Sequence, residues 1–160
     1  MLIPGHTIAA KTFAVDPALV ERMMLAARKA HAPFSRFRVG TALIMADDPE
    51  ERLHVGANVE NSSYGATCCA ERSALYHAAA LGFRRLRYLA VSTADALERP
   101  TSERTPCGIC RQVIRDFAGL NQIDEALIFV DTGADDVLCE VFDIERLLPY
   151  GFSFAGPGGE

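Results

Sequence analysis

Two short segments constrain this chain more than anything else in it: Cys68-Cys69-Ala70-Glu71-Arg72 and Thr105-Pro106-Cys107-Gly108-Ile109-Cys110-Arg111-Gln112. They hold four of its five cysteines, and each opens a predicted helix. A thiol at a helix N-terminus feels the positive end of the helix dipole, which lowers its pKa and readies the thiolate for a cation. In Cys107-x-x-Cys110 the first helical turn brings both sulfurs to one side, so both can reach one ion. Cys69 would complete a three-thiolate set. Three protein ligands with the fourth position left to water describe a catalytic zinc, one per chain.

Glu71 lies two residues after Cys69, a spacing that lets its carboxylate stand beside the ion without ligating it. There it could take a proton from water and pass it on as general acid and base. Three thiolates and a divalent cation sum to one negative charge, which would weaken the metal as a Lewis acid. Arg72 could offset that charge by donating hydrogen bonds to thiolate sulfur. Two blander readings compete. Cys68, Cys69, Cys107 and Cys110 could form a closed structural zinc site, although adjacent cysteines rarely reach one ion and Glu71 would then be idle. Cys107-x-x-Cys110 could be a redox pair, although the usual strand directly before such a motif is missing. Cys139 lies in a predicted strand and reads as a small buried apolar residue.

Apolar positions Leu19, Val20, Met23, Met24, Ala27 and Ala30 fall at helical spacing, with Pro17 suited to a first turn, which predicts a helix over 16–30. Strands are expected at 39–46 and 54–60 as a hairpin, then a helix at 69–80 ended by Gly82, a strand at 87–92 and a helix from Cys107 to about Phe117. Further strands at 126–131 and 137–142 and a short helix at 143–148 complete the series. Strands separated by helices imply one α/β domain over 1–160, a mixed sheet with helices layered on both faces. Its core runs from about 16 to 152, with an N-terminal extension 1–15 and a tail 153–160.

The 160 residues suffice for one real core, no apolar run is long enough to span a membrane, and residues 1–15 lack a secretory signal. The expectation is a cytoplasmic protein, in keeping with an odd number of cysteines used for metal rather than disulfides. Net charge is −5, and the densest basic group, Arg84, Arg85 and Arg87, reads as a solvated turn. A chain tracking phosphates normally carries a basic stripe, so nucleic acid is not the expected partner.

Four ordered stretches resemble the cytidine deaminase family, of the compact homotetrameric zinc-dependent type: 32–40 (Ala-Pro-Phe-Ser-Arg-Phe-Arg-Val-Gly), 58–65 (Asn-Val-Glu-Asn-Ser-Ser-Tyr-Gly), both cysteine segments, and Leu147-Leu148-Pro149. The resemblance implies a mixed five-stranded sheet flanked by helices, and hydrolytic deamination of cytidine and deoxycytidine in pyrimidine salvage. It assigns Cys69, Cys107 and Cys110 to zinc and Glu71 to proton transfer. It also implies that Asn58 and Glu60 bind the ribose hydroxyls, that Phe37 packs on the pyrimidine, and that the backbone around Ala70 and Glu71 holds the base. Tyr64 and Phe152 would reach across subunit interfaces of a homotetramer, with Phe152 closing a neighbour's pocket. The aromatic tail Tyr150-Gly151-Phe152-Ser153-Phe154 is similar to that of blasticidin-S deaminases, which makes a modified cytosine nucleoside the runner-up substrate. A non-catalytic, zinc-stabilised oligomer is the third reading, and Glu71 beside an open ligand position speaks against it.

Overall fold

The computed structural model describes residues 6–9, 17–119, 127–131 and 138–153. The chain forms β1 (His6–Ala9), α1 (Pro17–Arg28), β2 (Gly40–Met45), β3 (His54–Ala57), α2 (Ala70–Ala80), β4 (Leu86–Ser92), α3 (Gly108–Gly119), β5 (Leu127–Asp131), β6 (Leu138–Asp143) and α4 (Ile144–Leu147). One sheet has the order β1-β6-β5-β4-β2-β3. Among the described strands only β4 and β5 run parallel; every other neighbouring pair is antiparallel. A parallel pair needs a long crossover, and α3 lies in it.

The side-chain period of two along each strand sorts the core into two layers. Ala42, Ala90, Cys139 and Val141 face one side and pack with Met24 of α1. Leu43, Met45, Leu89, Val91, Ile128, Val130 and Phe142 face the other, against Ala74, Leu75 and Ala78 of α2 and Cys110 and Ile114 of α3. The result is a three-layer α/β sandwich with a mixed sheet, as the sequence implies. Cys139 is buried, as expected of a small core residue.

Two differences from expectation have local causes. Among the described residues the sheet has six strands rather than five, because the segment expected as an extension outside the core supplies β1, paired antiparallel along β6. Four residues are too few for alternation to stand out in a sequence, and β6 would otherwise be an open edge. The strand expected over 54–60 stops at Ala57, after which Val59 bridges separately to His31 and to Cys68. Of the tail, 154–160 lie outside the described residues.

Two contacts set α2 in place. A Cβ on Gly56 would run into the Ala70 carbonyl oxygen and lie 2.5 Å from Ala74 N, so only glycine lets the first turns of α2 lie against β3. The turn after β2 is closed by the buried Asp48 carboxylate, which accepts from Arg52 Nε at 2.9 Å and pairs with His54 Nε2 at 3.2 Å. The Arg52 bond holds the Asp48 carboxyl down at about 2, against the opposing effect of desolvation.

Candidate metal centre

Cys69 is the extended N-cap residue of α2, Cys107 immediately precedes α3, and Cys110 lies in the first turn of α3. These three Sγ atoms lie within 4.8 Å of one another, with Cys69 and Cys107 3.8 Å apart. Zinc–sulfur bonds of about 2.3 Å in tetrahedral geometry place sulfurs about 3.8 Å apart, so the set fits one zinc and leaves a fourth position for a non-protein ligand. Cys110 is fully buried, Cys69 half-buried and Cys107 exposed, which puts the centre at the rim of the core.

Cys68 stays out of the cluster. Its backbone exchanges hydrogen bonds with Val59 in extended conformation (2.9 and 3.0 Å), and adjacent side chains of an extended segment point to opposite sides. Its thiol turns to the Cys69 carbonyl instead, at 3.6 Å. Burial pushes the Cys68 thiol up, away from thiolate character.

The three clustered thiols are electrostatically unequal. A hydrogen bond from Cys110, with help from Arg72, pulls the Cys69 thiol down to about 5. Cys110, the donor of that bond and itself desolvated, is pushed far up. Burial works against the charge of Arg72, but the Cys69 sulfur and the surrounding thiols outweigh it and hold its pKa above the usual value. The Arg72 guanidinium sits 4.0 Å from Cys69 Sγ and donates to the Thr67 carbonyl at 2.7 Å. Among the described residues its Nε is buried with no hydrogen-bond partner.

Glu71 is buried in the first turn of α2, and desolvation lifts its carboxyl to about 7. Ala70 beside it is fully buried. Asn58 and Glu60 are engaged by a loop of the same chain. The Asn58 amide accepts from Val39 N–H at 2.8 Å and donates to the Phe37 carbonyl at 2.9 Å. The Glu60 carboxylate accepts the Ser35 hydroxyl and the N–H groups of Phe34 (2.8 Å) and Ser35 (3.2 Å). The Ser35 hydroxyl above all keeps Glu60 below its usual pKa, hence anionic. Phe37 is half-buried under the Arg99 guanidinium, 5.5 Å from its ring centroid. Arg99 comes from the loop after β4 and so brings that loop to Phe37.

Tyr64 meets Phe34 edge to face at 6.3 Å but remains 77% exposed, and Phe152 is 69% exposed. Within one chain, neither ring is enclosed by the site. Two residues inside the quoted motif had no role in the sequence reading and have one here. Arg111 donates to the Pro106 carbonyl (2.7 Å), the Thr105 hydroxyl (2.9 Å) and the Leu147 carbonyl (2.8 Å), tying the approach to Cys107 against the end of α4. Gln112 grips Phe152 through the main chain. Their place directly after Cys110 was the only signal.

Residues 14–123 match the family model described as the cytidine and deoxycytidylate deaminase zinc-binding region. The chain is 37% identical over 135 residues to a cytidine deaminase of Sporosarcina psychrophila, covering 84% of this chain and 89% of that one. With a cytidine deaminase of Halalkalibacterium halodurans it shares 46% over 99 residues, 62% of this chain and 69% of that one. The crystal structure of cytidine deaminase from Burkholderia pseudomallei superposes with a TM-score of 0.71 at 34% identity, over 86% of this chain and 99% of that one. That of Mycobacterium tuberculosis does so with 0.66 at 31%, over 88% and 99%. A thiol cluster of zinc geometry on this sandwich, inside the matched region, places the chain in the cytidine and deoxycytidylate deaminase family.

Proposed function

We propose that this chain is a zinc-dependent cytidine deaminase, which hydrolyses the exocyclic amine of cytidine and deoxycytidine to give uridine or deoxyuridine and ammonia. The observation that carries the reading is the three-sulfur cluster with a buried carboxylate beside it. Cys69, Cys107 and Cys110 hold the ion, and Cys68 does not. Bound zinc supplies a Lewis acid that brings the pKa of water to about 7. Glu71 moves the protons: its carboxylate accepts one from the attacking water, delivers it to the ring nitrogen and then serves the departing amine. A carboxyl lifted by burial toward neutrality is suited to both halves of that transfer. Arg72 offsets thiolate charge by its approach to Cys69. Backbone groups around Ala70 hold the base.

Phe37 packs on the pyrimidine. Asn58 and Glu60 read the sugar hydroxyls with the capacity left after bracing 34–39, since an amide and a carboxylate each offer more sites than the loop uses. The exposed rings of Tyr64 and Phe152 belong at subunit interfaces, with Phe152 walling a neighbour's pocket in a homotetramer. Light scattering should return a tetramer, and mixed Phe152→Ala and Glu71→Gln chains should regain activity after subunit exchange, because some hybrid sites then hold both intact residues. A fully active monomer would end the shared-site reading. Among the described residues no helix is long and apolar enough to cross a membrane. The setting we propose is pyrimidine salvage in the cytoplasm, where thiols stay reduced for metal.

An ultraviolet assay against cytidine, deoxycytidine, cytosine, CMP and blasticidin S tests the substrate. Cytidine and deoxycytidine should be turned over, and cytosine should lose about 10³-fold or more in kcat/KM, because it leaves the sugar-reading groups unpaired. CMP should be poor because its phosphate meets the anionic Glu60. Turnover of CMP at the cytidine rate would remove the nucleoside assignment. The 58–61 segment, Asn-Val-Glu-Asn, favours the unmodified nucleoside over blasticidin S.

A further inference from the structure

We propose that Gln112 is a positioning residue: its carboxamide pins the main chain of Phe152 to the zinc-binding helix, so that the ring is presented in a fixed place to a second copy of this chain. The proposal rests on the reading of Phe152 as a wall of a neighbour's pocket.

The geometry is a two-point grip. Gln112 Oε1 accepts from Phe152 N–H at 3.1 Å, and Nε2 donates to the Phe152 carbonyl at 2.8 Å. Nε2 also donates to Asp116 Oδ1 at 2.9 Å, one helical turn on. That third bond fixes which way the amide faces. A flipped amide would set its oxygen against both the Asp116 carboxylate and the Phe152 carbonyl, and its NH₂ against an N–H.

The same helix holds the chain leading to Phe152. Arg111 takes the Leu147 carbonyl at 2.8 Å, and Arg115 takes the Leu148 carbonyl at 3.3 Å while pairing with Glu145. A Cβ on Gly151 would lie 2.6 Å from Arg115 Cδ and 2.7 Å from Leu148 Cδ2, so the chain passes close against the Arg115 side chain of α3, and a larger residue there would have to push these side-chain ends aside. Just before it, Tyr150 adopts the left-handed φ of 59°.

Against this fixed backbone stands a ring that is 69% exposed. A plug for the chain's own core would be buried, and a loose tail would have no grip on both polar groups of one residue. Holding the backbone while leaving the ring open suits an aromatic that fills a pocket on another body, since the ordering cost falls before association. Gln112 lies two residues beyond Cys110, so the ring's place is referred directly to the helix that binds the metal.

The test compares Gln112→Ala, Phe152→Ala and the double variant as zinc-loaded protein. Zinc content, kcat and KM for cytidine, and amide hydrogen exchange at Phe152 are the readouts. Gln112→Ala should raise KM about tenfold, the worth of a lost pair of hydrogen bonds, with kcat within about twofold. Zinc should stay at one per chain, and the Phe152 amide should exchange at least about tenfold faster, because its acceptor is gone. The double variant should be no worse than Phe152→Ala, since both changes remove one device. Additive losses, an unchanged Phe152 amide, or a fall in kcat and zinc together would overturn the proposal by placing the effect in α3 itself. Wild-type protein inactive on cytidine would sink the deaminase reading instead, and exchange at Phe152 would still decide whether Gln112 is the clamp.

Discussion

Glu71→Gln should keep its zinc and lose about 10⁴-fold or more in turnover of cytidine. General acid–base groups contribute about 10² to 10⁴-fold, and in the proposed reaction one carboxylate serves several proton transfers in a single turnover, which puts the loss at or beyond the upper end. The amide keeps the shape of the side chain and removes only its ability to accept and release a proton. Packing should survive the change, because the site already disfavours a charged group: burial lifts the Glu71 carboxyl to about 7. Metal analysis, a melting curve and the ultraviolet assay separate the effects. Retained zinc and fold with turnover gone is the expected result, and a variant within tenfold of wild type would take Glu71 out of the chemistry.

The second large effect concerns the sulfurs. Serine at Cys69, Cys107 or Cys110 should abolish both zinc binding and activity, whereas serine at Cys68 should leave both in place. The contrast between neighbours is the informative part, because Cys68 and Cys69 share composition and sequence context and differ in where the backbone aims them. Loss of the ion should also show as loss of stability. A ligand that binds only the folded chain adds RT ln(1 + [L]/Kd), about 4 kcal/mol at a thousandfold excess over Kd, which for a chain of this size is roughly 10 °C in the melting midpoint. Wild type stripped by a chelator should therefore melt near the Cys69→Ser variant. Zinc retained without Cys69 and lost without Cys68 would reverse the ligand set.

Much of this was legible in the sequence, for reasons that can be named. The helices carrying the centre show themselves through apolar residues at helical spacing, such as Ala74, Leu75 and Ala78, which are in fact the face packed on the sheet. The cysteine segments announce a cation because few other uses put three thiols at two helix starts. What stayed hidden are contacts that leave no periodic trace. Asn58 and Glu60 read as polar residues at a strand end, yet their side chains also brace main-chain groups some 20 positions away, at Phe37, Val39, Phe34 and Ser35. A side chain bonded to a distant peptide group has no spacing rule by which it could be found. The same holds for Arg111 and Gln112, whose partners lie in the last stretch of the chain.

The strand β1 has a consequence beyond its own pairing. It covers β6 in the register His6 to Val141, Thr7 to Glu140, Ile8 to Cys139 and Ala9 to Leu138, and so becomes the sheet's border on that side. A chain shortened to begin at α1 would retain every residue of the metal centre. It would also leave one flank of β6 as a row of unpaired N–H and C=O groups, a ready template on which another molecule can add a strand. Self-association of such a shortened protein would then come from backbone left without its neighbour, with the catalytic machinery intact inside the aggregate.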